Sequence, residues 1–347
     1  MPAAATEGRP RRLLLVLTCG VASSCLPQSA HPQWSPHAGR PGPRNAHAAV
    51  YDSRAGTFVL FGGATAEEVR GDTWRWAAGA WRLLAGGGPA PRTFPAMAYD
   101  SARDEIVLFG GNRVLFGKGD SPPALLGDTW ILRRGAWRNV GERGPPPRAE
   151  AAIAHDPARR RTVLFGGYAW ADGRVVRLGD TWEWDGERWT RESTTGPSPR
   201  SGAAMAYHPG LRMVVLFGGS GGPLGDTWAW NGRVWSPLPV PPAAGRFNTT
   251  MAWDPLAERL IRFGGWDGNG RTSDTWELGE VGWRRLPDAG PSSRNHAVLV
   301  SAPDRGSLLL YGGHDGDRVF GDLWERRRGR WVPLESPAPA PRVPNGH

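Results

Sequence analysis

The sequence predicts an all-β chain folded as a six-bladed β-propeller. Three observations carry this expectation: one pattern of landmarks recurs six times, 19 Trp and 49 Gly punctuate short apolar segments, and no Cys follows Cys25. With 39% hydrophobic and 22% charged residues over 347 positions, the chain is neither disordered nor membrane-embedded. Lacking a disulfide framework in its body, it must be held by packing.

The repeat opens on an Arg, at Arg44, Arg92, Arg148, Arg200, Arg246 and Arg294, spaced by 48, 56, 52, 46 and 48 residues. Behind each Arg comes an apolar segment, then a hydrophobic strand ending in a Gly pair. These strands run from Val59 to Phe61, Val107 to Phe109, Val163 to Phe165, Val215 to Phe217, Leu260 to Phe263 and Leu308 to Tyr311. Gly-Asp-Thr-Trp follows, intact at 71–74, 127–130, 179–182 and 225–228 and varied at 273–276 and 321–324. A last Trp closes each unit, at Trp81, Trp137, Trp189, Trp235, Trp283 and Trp331. The segments have strand length, so each repeat reads as four strands. A four-stranded sheet cannot bury both faces alone, whereas six stacked around an axis bury nearly all of them.

The landmarks resemble the kelch repeat from about residue 32 to 335, and more particularly exported bacterial kelch-repeat proteins. The resemblance implies a propeller and says little about activity, since this fold carries binding proteins, scaffolds and a few enzymes. Seven candidate outer strands compete for six places, because Gln33-Trp34-Ser35-Pro36 imitates the segments around Trp235 and Trp331. Trp331 is expected to close the last blade, being contiguous with it.

Residues 1–25 read as a signal peptide: Arg9, Arg11 and Arg12 precede the apolar run Leu13 to Leu17, and small residues follow. Ala22-Ser23-Ser24-Cys25 resembles a bacterial lipobox, which implies lipidation of Cys25 and membrane anchoring through it; simple secretion is the alternative. Residues 26–43 form a linker holding Trp34, 44–335 the propeller, and 336–347 a Pro-rich tail. The expected location is extracytoplasmic, secreted or lipid-anchored to the envelope. The net charge of +9 comes from 42 basic and 33 acidic residues. Without a nucleic-acid module it does not argue for DNA or RNA as a partner.

The repeated Arg and Asp are assigned to structure. A catalytic group is needed once, while a group present in every blade solves a problem that every blade has. Function is expected instead in the connections after the Gly pairs, which run 7, 15, 11, 5, 7 and 7 residues and should emerge on one face. The turns holding Asn45, Phe94, Asn248 and Asn295 should join them there. The longest, 112–126 and 168–178, belong to neighbouring blades. They offer Arg113, Phe116, Lys118 and Asp120, then Tyr168, Trp170, Asp172 and Arg174; later repeats add Trp266, Asp267, Arg271, His314, Asp315 and Asp317. The ligand-binding set is Arg113, Tyr168, Trp170, Arg174, Trp266, Arg271 and His314, with Trp170 foremost because it stands outside the repeated Trp positions.

No catalytic residue, metal ligand or cofactor is assigned. Galactose oxidase, also a kelch propeller, needs a cysteine cross-linked to tyrosine, which a chain without Cys beyond residue 25 does not supply. Asp267-Gly268-Asn269-Gly270 and Asp315-Gly316-Asp317 lack the oxygen spacing of a calcium loop and read as turns. The expected function is that of a non-enzymatic, monomeric, extracytoplasmic binding or scaffold protein, presenting its variable loop face to a protein or glycan. The alternative is an exported sugar-modifying enzyme resembling sialic acid mutarotase.

Overall fold

A computed structural model describes residues 39–335, apart from residues 85, 116–121, 223 and 288. The leader with Cys25, the segment around Trp34, Phe116, Lys118, Asp120 and the tail 336–347 lie outside the described residues. Six four-stranded antiparallel sheets form blades 1 to 6, five of them built from consecutive strands and blade 3 interrupted between its second and third strands. Their first strands are Ala48–Asp52, Ala96–Asp100, Ala152–Asp156, Ala204–His208, Thr250–Asp254 and Val298–Ala302. These touch one another in a closed ring, so they are the innermost layer. Blade 1 continues outward through Thr57–Phe61, Thr73–Ala77 and Ala80–Leu83. Among the described residues the one helical segment is the 3-10 turn Pro303–Arg305.

Blade 6 ends with Arg330–Glu335, paired to Leu323–Arg327, so Trp331 does supply its outer strand. Blade 3 departs from the expected plain loop: Tyr168–Ala171 and Arg174–Arg177 form a hairpin of their own. Asp172 and Gly173, with φ of 50° and 73°, make the two-residue turn that suits tight hairpins.

Each landmark has a bonding role. In five blades the repeated Arg is buried and grips its Asp bidentately, with Arg148 Nη1 and Nη2 lying 2.6 and 2.9 Å from the Asp180 oxygens. The same Nη1 donates to the carbonyl of the first Gly of the pair, Gly166, at 3.0 Å. The Asp also accepts the indole N–H two residues on, as Asp180 does from Trp182 at 2.7 Å. The motif Thr serves the next blade: the last Trp donates across the joint to the preceding Thr, as in Trp189 to Thr129 at 3.0 Å and Trp235 to Thr181 at 2.8 Å. Blade 6 has Leu323 in place of that Thr. Trp81 instead donates to Glu335 at 2.7 Å, and Trp76 joins it at 3.1 Å. Closure is therefore made with a substitute acceptor.

The Gly pair is needed at the same joints. Gly63 N donates to Arg92 O at 2.9 Å, and the equivalent bond closes the ring from Gly313 to Arg44 at 3.0 Å. Gly62 has φ of 66°, and a Cβ there would meet Arg92 O at 2.8 Å, so both conformation and space require glycine.

Blade 5 breaks the pattern. Where the other blades bury Leu60, Leu108, Leu164, Leu216 and Leu310, it buries Arg262, whose three guanidinium nitrogens have no hydrogen-bond partner. The cation lies 4.5 Å from the Phe217 ring, 4.7 Å from Trp276 and 5.2 Å from Trp283. Burial, together with the charge of Arg246, lowers its pKa to about 9. Arg246 reaches Asp274 through Nη2 alone, leaving Asp274 Oδ1 without a partner. Restoring the repeat with Arg262→Leu is expected to stabilise the propeller by about 1–3 kcal/mol, since an unpaired buried cation costs more than rings return. Chemical denaturation of variant and parent checks this; a loss of stability would mean that the cation–π contacts dominate.

Candidate functional site

Three positions in every blade are set by this frame: the residue after the repeated Arg, the next one, and the residue after the Gly pair. The first and third are tied by backbone pairing in all six blades. The pairs are Asn45 with Ala64, Thr93 with Asn112, Ala149 with Tyr168, Phe247 with Trp266 and Asn295 with His314, while Ser220 N donates to Ser201 O. The second set is Ala46, Phe94, Glu150, Gly202, Asn248 and His296. All six have φ between 52° and 62°. Their backbones hydrogen-bond from blade to blade around the channel: Phe94 N to Ala46 O at 2.7 Å, Glu150 N to Phe94 O at 3.3 Å, Gly202 N to Glu150 O at 3.1 Å, Asn248 N to Gly202 O at 2.8 Å, and His296 N to Asn248 O at 3.3 Å. A positive φ with a Cβ is costly for most side chains. Here the blade-to-blade bonds hold it, so residue type is free to vary.

Twelve of these eighteen positions line a cavity of about 550 Å³ on the loop face, within the size range of small-molecule sites. Of the expected ligand-binding residues, Tyr168, Trp266, Arg271 and His314 line it together. Asn45, Phe94, Asn248 and Asn295 line it as well. Trp170 and Arg174 lie further along the blade 3 hairpin and are exposed. Trp170 pairs across that hairpin with Val175, a cavity residue, which puts it on the rim above the wall. Arg113 is exposed and is not among the lining residues. Asp267 and Asp315 do sit in turns, their carboxylates accepting from Asn269 and Gly270 and from Asp317 and Arg318.

Sequence reasoning missed Glu150, His296, Ser201, Ser220, Phe247 and Arg177, all of which line the cavity. Counting two residues on from each repeated Arg would have found Glu150 and His296. That position holds six different residues within an otherwise constant frame.

The polar groups connect across blades. Arg177 Nε donates to Ser220 Oγ at 2.9 Å, Ser220 lies 3.0 Å from Ser201, and Ser201 donates to Glu150 Oε2 at 2.8 Å. On the far wall His296 Nδ1 and His314 Nε2 are 3.0 Å apart, with the Phe94 ring edge-on to His296 at 4.9 Å. Between the two walls, Glu150 Oε1 and His296 Nε2 stand 4.0 Å apart, on side chains only 13% and 16% exposed. Burial raises the Glu150 pKa above the usual carboxylate range. Burial, reinforced by Arg271, lowers His314 to about 4, and His296 falls well below its ordinary value. Burial thus favours the uncharged form of all three groups at the deep end. Arg271, whose Nε donates to Asn295 and whose guanidinium lies over Trp266 at 5.2 Å, and the exposed Arg177 supply positive charge to the wall.

Compared with known protein families, residues 28–219, more than half of the chain, match the KLHDC2/KLHL20/DRC7 Kelch-repeats domain. No curated protein matches the chain.

Proposed function

The chain belongs to the kelch-repeat family, whose domains generally mediate protein interactions, and from that premise we propose that it is a non-enzymatic binding propeller whose axial cavity receives a projecting element of its protein or glycan ligand. One observation carries this reading: the positions that differ between blades converge on one aromatic-walled cavity, while the positions that repeat are spent on blade joints. Trp170 and Arg174 on the hairpin, and the exposed Arg113 in the blade 2 connection, extend the recognition surface outward. Residues 1–25 support an extracytoplasmic setting, with Cys25 as the point of lipid attachment in the anchored version; mass spectrometry of the mature N-terminus reads which version is made.

The test is capture from envelope extract and on a glycan array by the immobilised propeller. Shortening the hairpin by replacing residues 168–178 with a five-residue connection like 220–224 is expected to abolish capture and leave the melting temperature within a few degrees. Unchanged capture would move the site off this face. A second reading, an exported sugar-modifying enzyme, is favoured by Glu150 and His296, a carboxyl whose burial favours its protonated form facing an imidazole whose burial favours its neutral form across 4.0 Å. Catalysed exchange between the anomers of a reducing sugar, followed by NMR and lost in Glu150→Gln, would replace the binding reading with that one.

A further inference from the structure

We infer that the gap between Glu150 and His296 is a hydroxyl-reading subsite, and that the element the cavity takes is the terminal pyranose of a neutral glycan. The inference rests on the cavity being the binding site and names its ligand class.

His296 Nε2 is buried and has no hydrogen-bond partner, while its other nitrogen is engaged by His314. Across the gap Glu150 Oε1 is 4.0 Å away, too far for a direct bond. One oxygen set to the side of that line reaches both at ordinary hydrogen-bond length, as bridging waters do across such separations. The group that fits must donate and accept, because the burial of Glu150 favours a carboxyl that can itself donate as well as accept, and the donor and acceptor nitrogens of His296 depend on its tautomer. A hydroxyl satisfies both neighbours in either tautomer.

The rest of the wall narrows the class. A cationic side chain would need Glu150 ionised, which its enclosure opposes, and would meet Arg271 and Arg177 on the way in. A carboxylate finds those two Arg, but at depth burial disfavours the cationic form of both His296 and His314. A sugar ring, by contrast, presents several hydroxyls that each donate and accept, matched by the amides of Asn45, Asn248 and Asn295. It also has an apolar face, for which Phe247 and Trp266, 6.4 Å apart, provide aromatic surface. A concave space of about 550 Å³ suits a ring or two better than a flat protein surface.

The experiment uses the full chain against one array carrying glycans that end in neutral pyranoses together with acidic, basic and apolar peptides. Binding to a subset of the glycans is expected, weakened about tenfold by Glu150→Ala and by His296→Ala, the scale of one lost hydrogen-bonding group. Glu150→Gln, which keeps a donor and an acceptor without charge, should stay within about threefold of the parent, since no charge is being read. Melting curves establish that each variant is folded, and His296→Ala carries the test should Glu150→Ala fail to fold. If Glu150→Gln loses binding as fully as Glu150→Ala, the subsite reads charge and the inference is overturned. If only peptides bind, and Trp266→Ala abolishes it, the cavity remains the binding site but its ligand is not a sugar. Should no probe bind in a way that Trp266→Ala alters, both the ligand class and the cavity reading fail.

Discussion

Asp180→Ala is expected to destabilise the propeller by roughly 3–5 kcal/mol, the cost of leaving a buried cation without its partner. Arg148 is 1% exposed, and Asp180 takes both of its terminal nitrogens as well as the Trp182 indole. Alanine therefore strands three donors in one step, and the shared Gly166 carbonyl cannot absorb them all. Denaturation by urea reads the loss as a lower midpoint with an unchanged slope. The pH dependence has a definite sign. The folded-state pKa values of Asp72, Asp128, Asp180, Asp226 and Asp274 are lowered; burial works against this, and hydrogen bonds to Arg or Trp together with the Arg charges outweigh it. Each contributes stability that is present above its unfolded-state pKa and is lost as pH falls through the folded value. Thermal melts of the parent should thus drop on acidification below about pH 4, and Asp180→Ala should drop less steeply. A stable Asp180→Ala protein that has lost its ligand would reverse the assignment of these pairs to structure.

Trp266→Ala is expected to do the opposite: to weaken ligand binding by about 2 kcal/mol, roughly thirtyfold, while leaving stability within about 1 kcal/mol of the parent. Its ring lines the cavity and supports Arg271, which in turn reaches Asn295. Truncation removes an aromatic wall and frees the guanidinium, while no blade joint loses a bond. Isothermal titration with the captured ligand, beside a melting curve, measures both halves. Trp170→Ala, on the rim and 40% exposed, should cost less than Trp266→Ala. The reverse order would place the dominant contact on the hairpin.

The landmarks were legible because each has a bond that every blade must make. Arg holds Asp, Asp holds the first Trp, and Thr holds the Trp of the next blade, so spacing in the sequence reflects geometry in the sheet. What was less legible is what does not repeat. Glu150 and His296 share the place two residues after the repeated Arg, but the six unlike residues found there give no motif to notice. The blade 3 hairpin had a readable signal in Asp172-Gly173 between Tyr168-Ala169-Trp170 and Val175-Val176, but inside a connection between blades it passes for a loop. Arg262 hides in an apolar run, Leu-Ile-Arg-Phe, whose strand character is correct and whose burial of a cation is visible only once Phe217 and the two Trp rings are seen around it. Leu323 was visible as a changed letter in the last Asp-Thr-Trp motif, yet its meaning required the joint, where Glu335 takes over the missing acceptor.

The central claim is that constant positions build the ring while varying positions at one end of the axis receive the ligand. Hydrogen–deuterium exchange of the propeller with and without its captured ligand tests this most directly. The account predicts added protection in the turns around Asn45, Phe94, Glu150, Asn248 and His296 and along 168–178 and 266–271, with the opposite-face turns at 53–56, 101–104 and 255–258 unchanged. Protection confined to those opposite-face turns would contradict it.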